Sequence, residues 1–174
     1  MHNCKRFELQ NNSESVCIRM DSRKELNHFL VDVFNEILKT EEMCVAAQFS
    51  DLSLREIHVI EAVCRAADGK NNSSTSIASA LRITAGTLTT TVSLLEKKGY
   101  LKRYRDEEDR RFIRICPTEA GRAADSIHKG FHEEMVDHVL RAIPEEEAAV
   151  FVRALKSISA FFKNKHKEKK GGNL

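Results

Sequence analysis

The stretch from Thr75 to Thr118 constrains this chain more than any other. Ser76 to Leu81 reads as a short helix, Arg82 and Ile83 as a turn, and Thr84 to Lys98 as a longer helix stopped by Gly99, with a charged β-hairpin after it. The order is helix, turn, helix, wing. In the longer helix Leu88, Val92 and Leu95 recur at helical spacing and form an inward stripe, which leaves Thr87, Thr90 and Thr91 on or near the opposite side. Such a helix is roughly 22 Å long. It fits a DNA major groove with short hydroxyl side chains against the base edges.

Tyr100 to Arg105 and Phe112 to Cys116 read as the two strands of the wing, with Ile113 and Ile115 alternating against Arg114. Net charge over the whole chain is only +2, so the distribution matters more than the total. From Lys97 to Arg114 there are eight basic residues against four acidic ones, and the wing is locally basic. Its tip runs Asp106-Glu107-Glu108-Asp109-Arg110-Arg111. Asp109 stands two residues before Arg111, a spacing that lets a carboxylate brace that guanidinium for a minor groove; the alternative is a solvated mixed-charge tip. Upstream, Asp68 to Ser74 is a turn cluster that places Thr75 and Ser76 at a helix N-terminus, where hydroxyls and free backbone N–H groups suit a phosphate as well as an ordinary cap.

Composition limits the alternatives. A chain of 174 residues, 41% hydrophobic, suits one domain or one domain with a pairing extension. No apolar run approaches the roughly 18 residues of a membrane span, and the first residues lack the apolar core of a signal peptide, so a cytoplasmic protein without a membrane partner is expected. The five cysteines show no C-x-x-C pair and no zinc spacing, which reads as reduced thiols. His128 and His132 stand i, i+4 beside Glu133, but the His-Glu-x-x-His order is absent, and neither a metal nor another cofactor is expected. With no Gly-rich phosphate loop and no Gly-x-Ser-x-Gly elbow, there is no candidate catalytic residue and an enzyme is not expected.

The flanks are helical. Residues 1–22 are polar and aperiodic, a flexible extension, with Met20 a candidate alternative start immediately before the first periodic segment. From Arg23 to about Ala47, Leu26, Leu30, Val33 and Ile37 form a stripe that Phe29 and Phe34 broaden. Ser53 and Glu56 have capping-box spacing for a helix from Leu54 to about Ala67, with Ile57, Ile60 and Cys64 inward. His58 in that helix reads either as a hydrogen-bonded surface histidine or as the edge of a ligand pocket. Thr118-Glu119 starts a helix to about Arg141 with Ala120, Ala124, Ile127, Phe131 and Met135 on one side. Pro144 and Glu145 to Glu147 start the last helix, where Ala148, Phe151, Leu155, Ile158 and Phe162 make a coiled-coil type of seam. The fold class expected is mostly α with a small β-wing: a winged helix-turn-helix domain over 23–162, with a DNA-binding lobe at 50–118, dimerisation helices at 23–47 and 119–162, and a basic tail at 163–174.

The segments "DLSLREIHVIEAV", "TSIASALRITAGTLTTTVSLLEKKGYLKRYRDEEDRR" and "TEAGR", flanked by helices, resemble the MarR family of dimeric winged-helix transcription regulators. Within it, "SLREIHVIEAV" and "IHKGFHEEMV" look most similar to the regulators of fatty-acid biosynthesis genes in Gram-positive cocci. That resemblance implies a repressor whose operator affinity is tuned by long-chain acyl carrier protein. It implies Thr84, Thr87, Thr90 and Thr91 in the major groove, and Arg111, braced by Asp109 and beside Arg110, in the minor groove. Where many members carry arginine, this chain has Thr90 and Glu108, so less charge faces DNA. The resemblance further implies an effector pocket lined by Phe29, Phe34, His58, Ile127, Phe131 and Met135, and a carrier-protein contact through Arg122, His128, Lys129 and His132. A two-fold homodimer would set its recognition helices about 34 to 36 Å apart on a pseudo-palindromic double-stranded operator. The alternative within the fold is a small-molecule-responsive or thiol-based redox-sensing repressor, with Cys17 the nearest candidate thiol and Cys44 at the far end of the first helix.

Overall fold

The computed structural model describes residues 22–69, 71–106, 110 and 112–171, with side chains described as far as Lys165. Met20 and Cys17, the wing-tip residues Glu107 to Asp109, and Arg111 lie outside the described residues. The fold is mostly helical with one two-stranded antiparallel wing. It divides into two compact units, one ending at Asp125 and one beginning at Ser126.

In the first unit, α1 (residues 22–48) passes through a π-helical turn at Phe29–Val33 before continuing as Phe34–Gln48. A π turn carries an extra residue, so the apolar stripe does not run straight through it. Leu26, Phe29, Leu30, Val33 and Phe34 are exposed, and the buried side chains of α1 lie further on, at Glu41 and Val45.

Helix α2 (Leu54–Asp68) begins where the capping box predicts. Ser53 Oγ accepts from Glu56 N, and Glu56 Oε2 accepts from Ser53 N at 2.8 Å. Its inner face, Ile57, Ile60, Val63 and Cys64, is fully buried. Helix α3 (Ser74–Leu81) is capped by Ser73 and starts two residues earlier than the sequence pattern suggests. Helix α4 (Ala85–Lys97) buries Leu88, Val92 and Leu95 completely. Gly99, with φ +84°, takes the left-handed conformation that turns the chain out of the helix into the hairpin.

The wing pairs β1 (Leu101–Arg105) with β2 (Ile113–Pro117), with Leu101 opposite Pro117 and Arg105 opposite Ile113. The core end of the ladder is fastened to the body: Asn72 exchanges hydrogen bonds with Ile115, donating through Nδ2 at 3.1 Å and accepting from Ile115 N at 3.0 Å. Ile115 is buried, but Ile113, expected inward with it, is 48% exposed. Its register sets it near the free end of the hairpin, beyond the core.

Two polar knots hold this unit. Glu56 Oε1 accepts from Lys98 Nζ at 2.7 Å, Lys98 also reaches the Asp51 carbonyl, and Tyr100 donates to Asp51 Oδ1 at 3.0 Å. Burial pushes the Glu56 carboxyl up, but the bonds from Lys98 and Ser53 and the lysine charge outweigh it, and its pKa lies below 4.5. Burial and the hydrogen bond to Asp51 raise the Tyr100 phenol. At the second knot, Thr118 Oγ1 shares its one proton between the carbonyls of Gly99 (2.7 Å) and Tyr100 (3.0 Å) and accepts from Gly121 N at 3.1 Å, capping α5 (Glu119–Ala142). A Cβ at Gly121 would run into the Tyr100 carbonyl oxygen. This close approach is the physical content of the Thr-x-x-Gly pattern.

In the second unit, α5 continues from Ser126 to Ala142, and α6 (Glu145–Gly171) begins at Pro144, whose carbonyl accepts from Glu147 N at 3.0 Å. The helix α6 continues through residue 163, where the basic tail starts, to Gly171. Lysine is a good helix former, and cations near a helix C-terminus meet its negative end favourably. Phe151, Leu155, Phe161 and Phe162 on α6 are exposed in the single chain.

Gly121→Ala should lower the urea midpoint, with an overpacking cost of about 1–3 kcal/mol; an unchanged midpoint would refute the close approach. Because the folded Glu56 pKa is depressed, its stabilisation is present above pH 4.5 and lost as pH falls through the folded value. Glu56→Gln should therefore be less stable than the parent at neutral pH, with the gap closing as pH falls below 4.5 and through the folded Glu56 value. Denaturant midpoints across that range check this, and a constant gap would contradict it.

Candidate nucleic-acid interface

The outward side of α4 is built from its first turn. Thr84 is the N-cap, and its Oγ1 accepts from Thr87 N at 3.1 Å and lies 2.8 Å from Thr87 Oγ1. Along the helix Thr89, Thr90 and Thr91 each donate their hydroxyl proton to the carbonyl four residues back, at 2.8, 3.1 and 3.0 Å. Thr84, Thr87 and Thr90 are exposed and Thr91 is half-buried. Two exposed residues escaped the sequence reading, Thr89 and the 45% exposed Leu94. Helical spacing from the buried stripe was the signal that could have found Leu94.

At the start of α3, Ser73 Oγ accepts from Ser76 N at 3.2 Å, and Ser76 Oγ donates to Asn71 Oδ1 at 2.7 Å. The Ser76 groups are thus engaged within the turn, while Thr75 is exposed. Between the helices Arg82 adopts φ 55°, a left-handed conformation unusual for a residue with a side chain, and Ile83 N reaches back to the Ala78 carbonyl at 3.1 Å. The reversal is tight, and it sets the N-cap of α4 two residues after Arg82.

The wing is clamped to α4 by Arg103. Its guanidinium donates to Glu96 Oε2 at 2.7 Å, to Ser93 Oγ at 3.2 Å and to the Thr89 carbonyl at 3.0 Å. Arg114 Nε donates to Asp106 Oδ2 at 2.6 Å. With Lys98 held by Glu56, three of the eight basic residues counted in the sequence are taken up in ion pairs. Among the described residues of that segment, Lys97, Lys102, Arg105 and Arg110 are exposed cations. The Asp109–Arg111 brace lies outside the described residues.

The residues nominated for an effector pocket are distributed differently. His58 Nε2 lies 3.1 Å from Glu41 Oε1, and it lines a cavity of about 160 Å³ with Arg55, Val59, Leu81, Ile83, Thr87 and Thr91. Phe29 and Phe34 do not line it and are 45% and 62% exposed. In the second unit Ile127 is exposed and Phe131 and Met135 are half-buried, with the Phe131 ring edge-on to His132 at 5.4 Å. Of the proposed carrier-protein contacts, Arg122 pairs with Asp68 at 3.2 Å and Lys129 is exposed. His128 is buried, its Nε2 3.3 Å from that of the half-buried His132, so it offers little surface to a protein partner. Cys44 is exposed, Cys64 buried and Cys116 half-buried. Among the described residues no helix is long and apolar enough to cross a membrane.

These features coincide with those of known proteins. The family profile described as MarR family matches residues 53–113. Streptococcus pneumoniae FabT, solved in complex with DNA, superposes with a TM-score of 0.73 at 32% identity, over 82% of this chain and 98% of that one. The MarR family transcription regulator SP03579 (TM-score 0.70, 12% identity, 88% and 99% covered) and the DNA complex of Staphylococcus aureus MepR (0.64, 19%, 78% and 95%) share the fold. No curated protein sequence matches. With a third of its residues identical across almost the full length of FabT, and the family's segment in register over α2 to the wing, the chain belongs to the MarR family of winged-helix DNA-binding transcription regulators.

Proposed function

We propose that this chain is a cytoplasmic homodimeric repressor of fatty-acid biosynthesis genes that binds a pseudo-palindromic operator and holds it more tightly in the presence of long-chain acyl carrier protein. The observation that carries the proposal is the 32% identity with FabT, a protein crystallised on DNA, across 98% of that chain. It agrees with the sequence resemblance to fatty-acid regulators over Ile127 to Val136. The exposed Phe151, Leu155, Phe161 and Phe162 of α6 support pairing with a second copy, since a row of large apolar side chains is a poor solvent face.

Electrostatics give the corepressor a purpose. Neutralised phosphates and released counterions supply much of the affinity for DNA, and this sequence has Thr90 and Glu108 where many family members carry arginine. Intrinsic operator affinity is then modest, and a ligand that prefers the dimer with correctly spaced recognition helices raises it by shifting the population. The exposed Lys129 is among the residues that the resemblance assigns to the carrier contact, and the acyl chain needs only an apolar tunnel.

A gel-shift titration against the protein's own upstream region tests the regulator. Affinity should fall steeply between about 50 and 200 mM salt; salt-independent binding, or a monomer by analytical ultracentrifugation, would reject it. Addition of long-chain acyl carrier protein should lower the protein concentration needed for half-saturation. No gain, set against unacylated carrier as control, would remove the corepressor while leaving the DNA-binding regulator standing.

A further inference from the structure

The outer side of α4 carries a ridge, Gly86, Thr90 and Leu94, with members four residues apart on one helical face. None of the three bears a charge. The Thr90 hydroxyl proton is given to the Gly86 carbonyl at 3.1 Å, and the neighbouring Thr89 and Thr91 spend theirs in the same way. With its proton committed, the exposed Thr90 has its methyl group and the remaining lone pairs of its oxygen to offer, and beside it stands the Leu94 side chain, 45% exposed. The core does not need Leu94, since Leu88, Val92 and Leu95 already bury the inner face completely. Nor does the fold need a glycine at 86: a Cβ there would meet only Thr84 Oγ1 at 3.9 Å, and glycine is a poor helix former.

In the major groove the chemistry of such a ridge selects one base. Guanine is read by a bidentate cation, which is missing here, whereas thymine alone presents a methyl group. A threonine whose proton is already committed can still accept from the amino group of an adjacent adenine or cytosine. We infer that Thr90 and Leu94 read thymine methyl groups in each operator half-site, with the side-chain-free Gly86 letting the first turn of α4 settle close to the base edges. This rests on the DNA-regulator reading above and adds the base that the helix recognises.

The test uses the full chain and the tightest duplex selected from a random pool, compared with copies in which single thymines are replaced by deoxyuridine, which lacks the methyl. Two positions in each half-site should lose about three- to fourfold in affinity on removal of the methyl. Thr90→Val, which keeps a methyl, should preserve that sensitivity. Thr90→Ser should erase it at one position and Leu94→Ala at the other, with thermal midpoints checked to show that both variants are folded. Thr90→Arg should weaken the methyl dependence and steepen the salt dependence. Affinity indifferent to deoxyuridine at every position, or a dependence that survives both Thr90→Ser and Leu94→Ala, overturns the inference while DNA binding stands. Failure to select any duplex would instead sink the regulator reading itself.

Discussion

The complete burial of Leu88, Val92 and Leu95 is the constraint on which the rest of the lobe depends. Three apolar side chains at helical spacing allow one rotation of α4 about its axis, and a slip of one residue would drive threonines into the core and leucines into water. That rotation turns Thr87 and Thr90 outward. The Arg103 clamp then fixes the wing against the same helix, and the Glu56–Lys98 pair ties its C-terminal end to the start of α2. The exposed threonine face, the wing and the body are consequences of one packing decision reinforced by two charge-assisted contacts.

Local chemistry made most of this legible from residues alone. The capping box at Ser53 and Glu56 involves groups three positions apart, and the inward stripe of α4 repeats within one helix, so both could be read without knowing any distant partner. The start of α3 was less certain because Ser73, Ser74, Thr75 and Ser76 are all acceptable caps, and the competition is decided by Asn71 and Ser76 bonding across the turn. The wing was misjudged in two respects, both long-range. Ile113 looks like a core residue by alternation, yet its partner Arg105 lies toward the free end of the hairpin. Lys98 looks like free positive charge, yet it meets Glu56, forty-two positions earlier.

The site was legible in kind more than in membership. Thr84, Thr87 and Thr90 have the exposure that a reading face requires, while Ser76 is committed to its own turn and His128 is buried. His128 and Lys129 are neighbours on α5, both polar and both beside the apolar stripe, so residue type alone does not say that the first is buried and the second exposed. Thr118 and Gly121 show the opposite case: a short motif whose spacing records a backbone approach that a Cβ at position 121 would block.

The commitment of Arg103, Arg114 and Lys98 to internal partners has a kinetic side. Regulators find their targets by first adhering to arbitrary duplex and scanning along it, a phase governed almost wholly by unspent positive charge. A guanidinium held by an internal carboxylate is withdrawn from that phase, and among the described wing residues Lys102, Arg105 and Arg110 remain exposed for it. The cations of one short hairpin are thus divided between holding it against its helix and adhering to a polyanion.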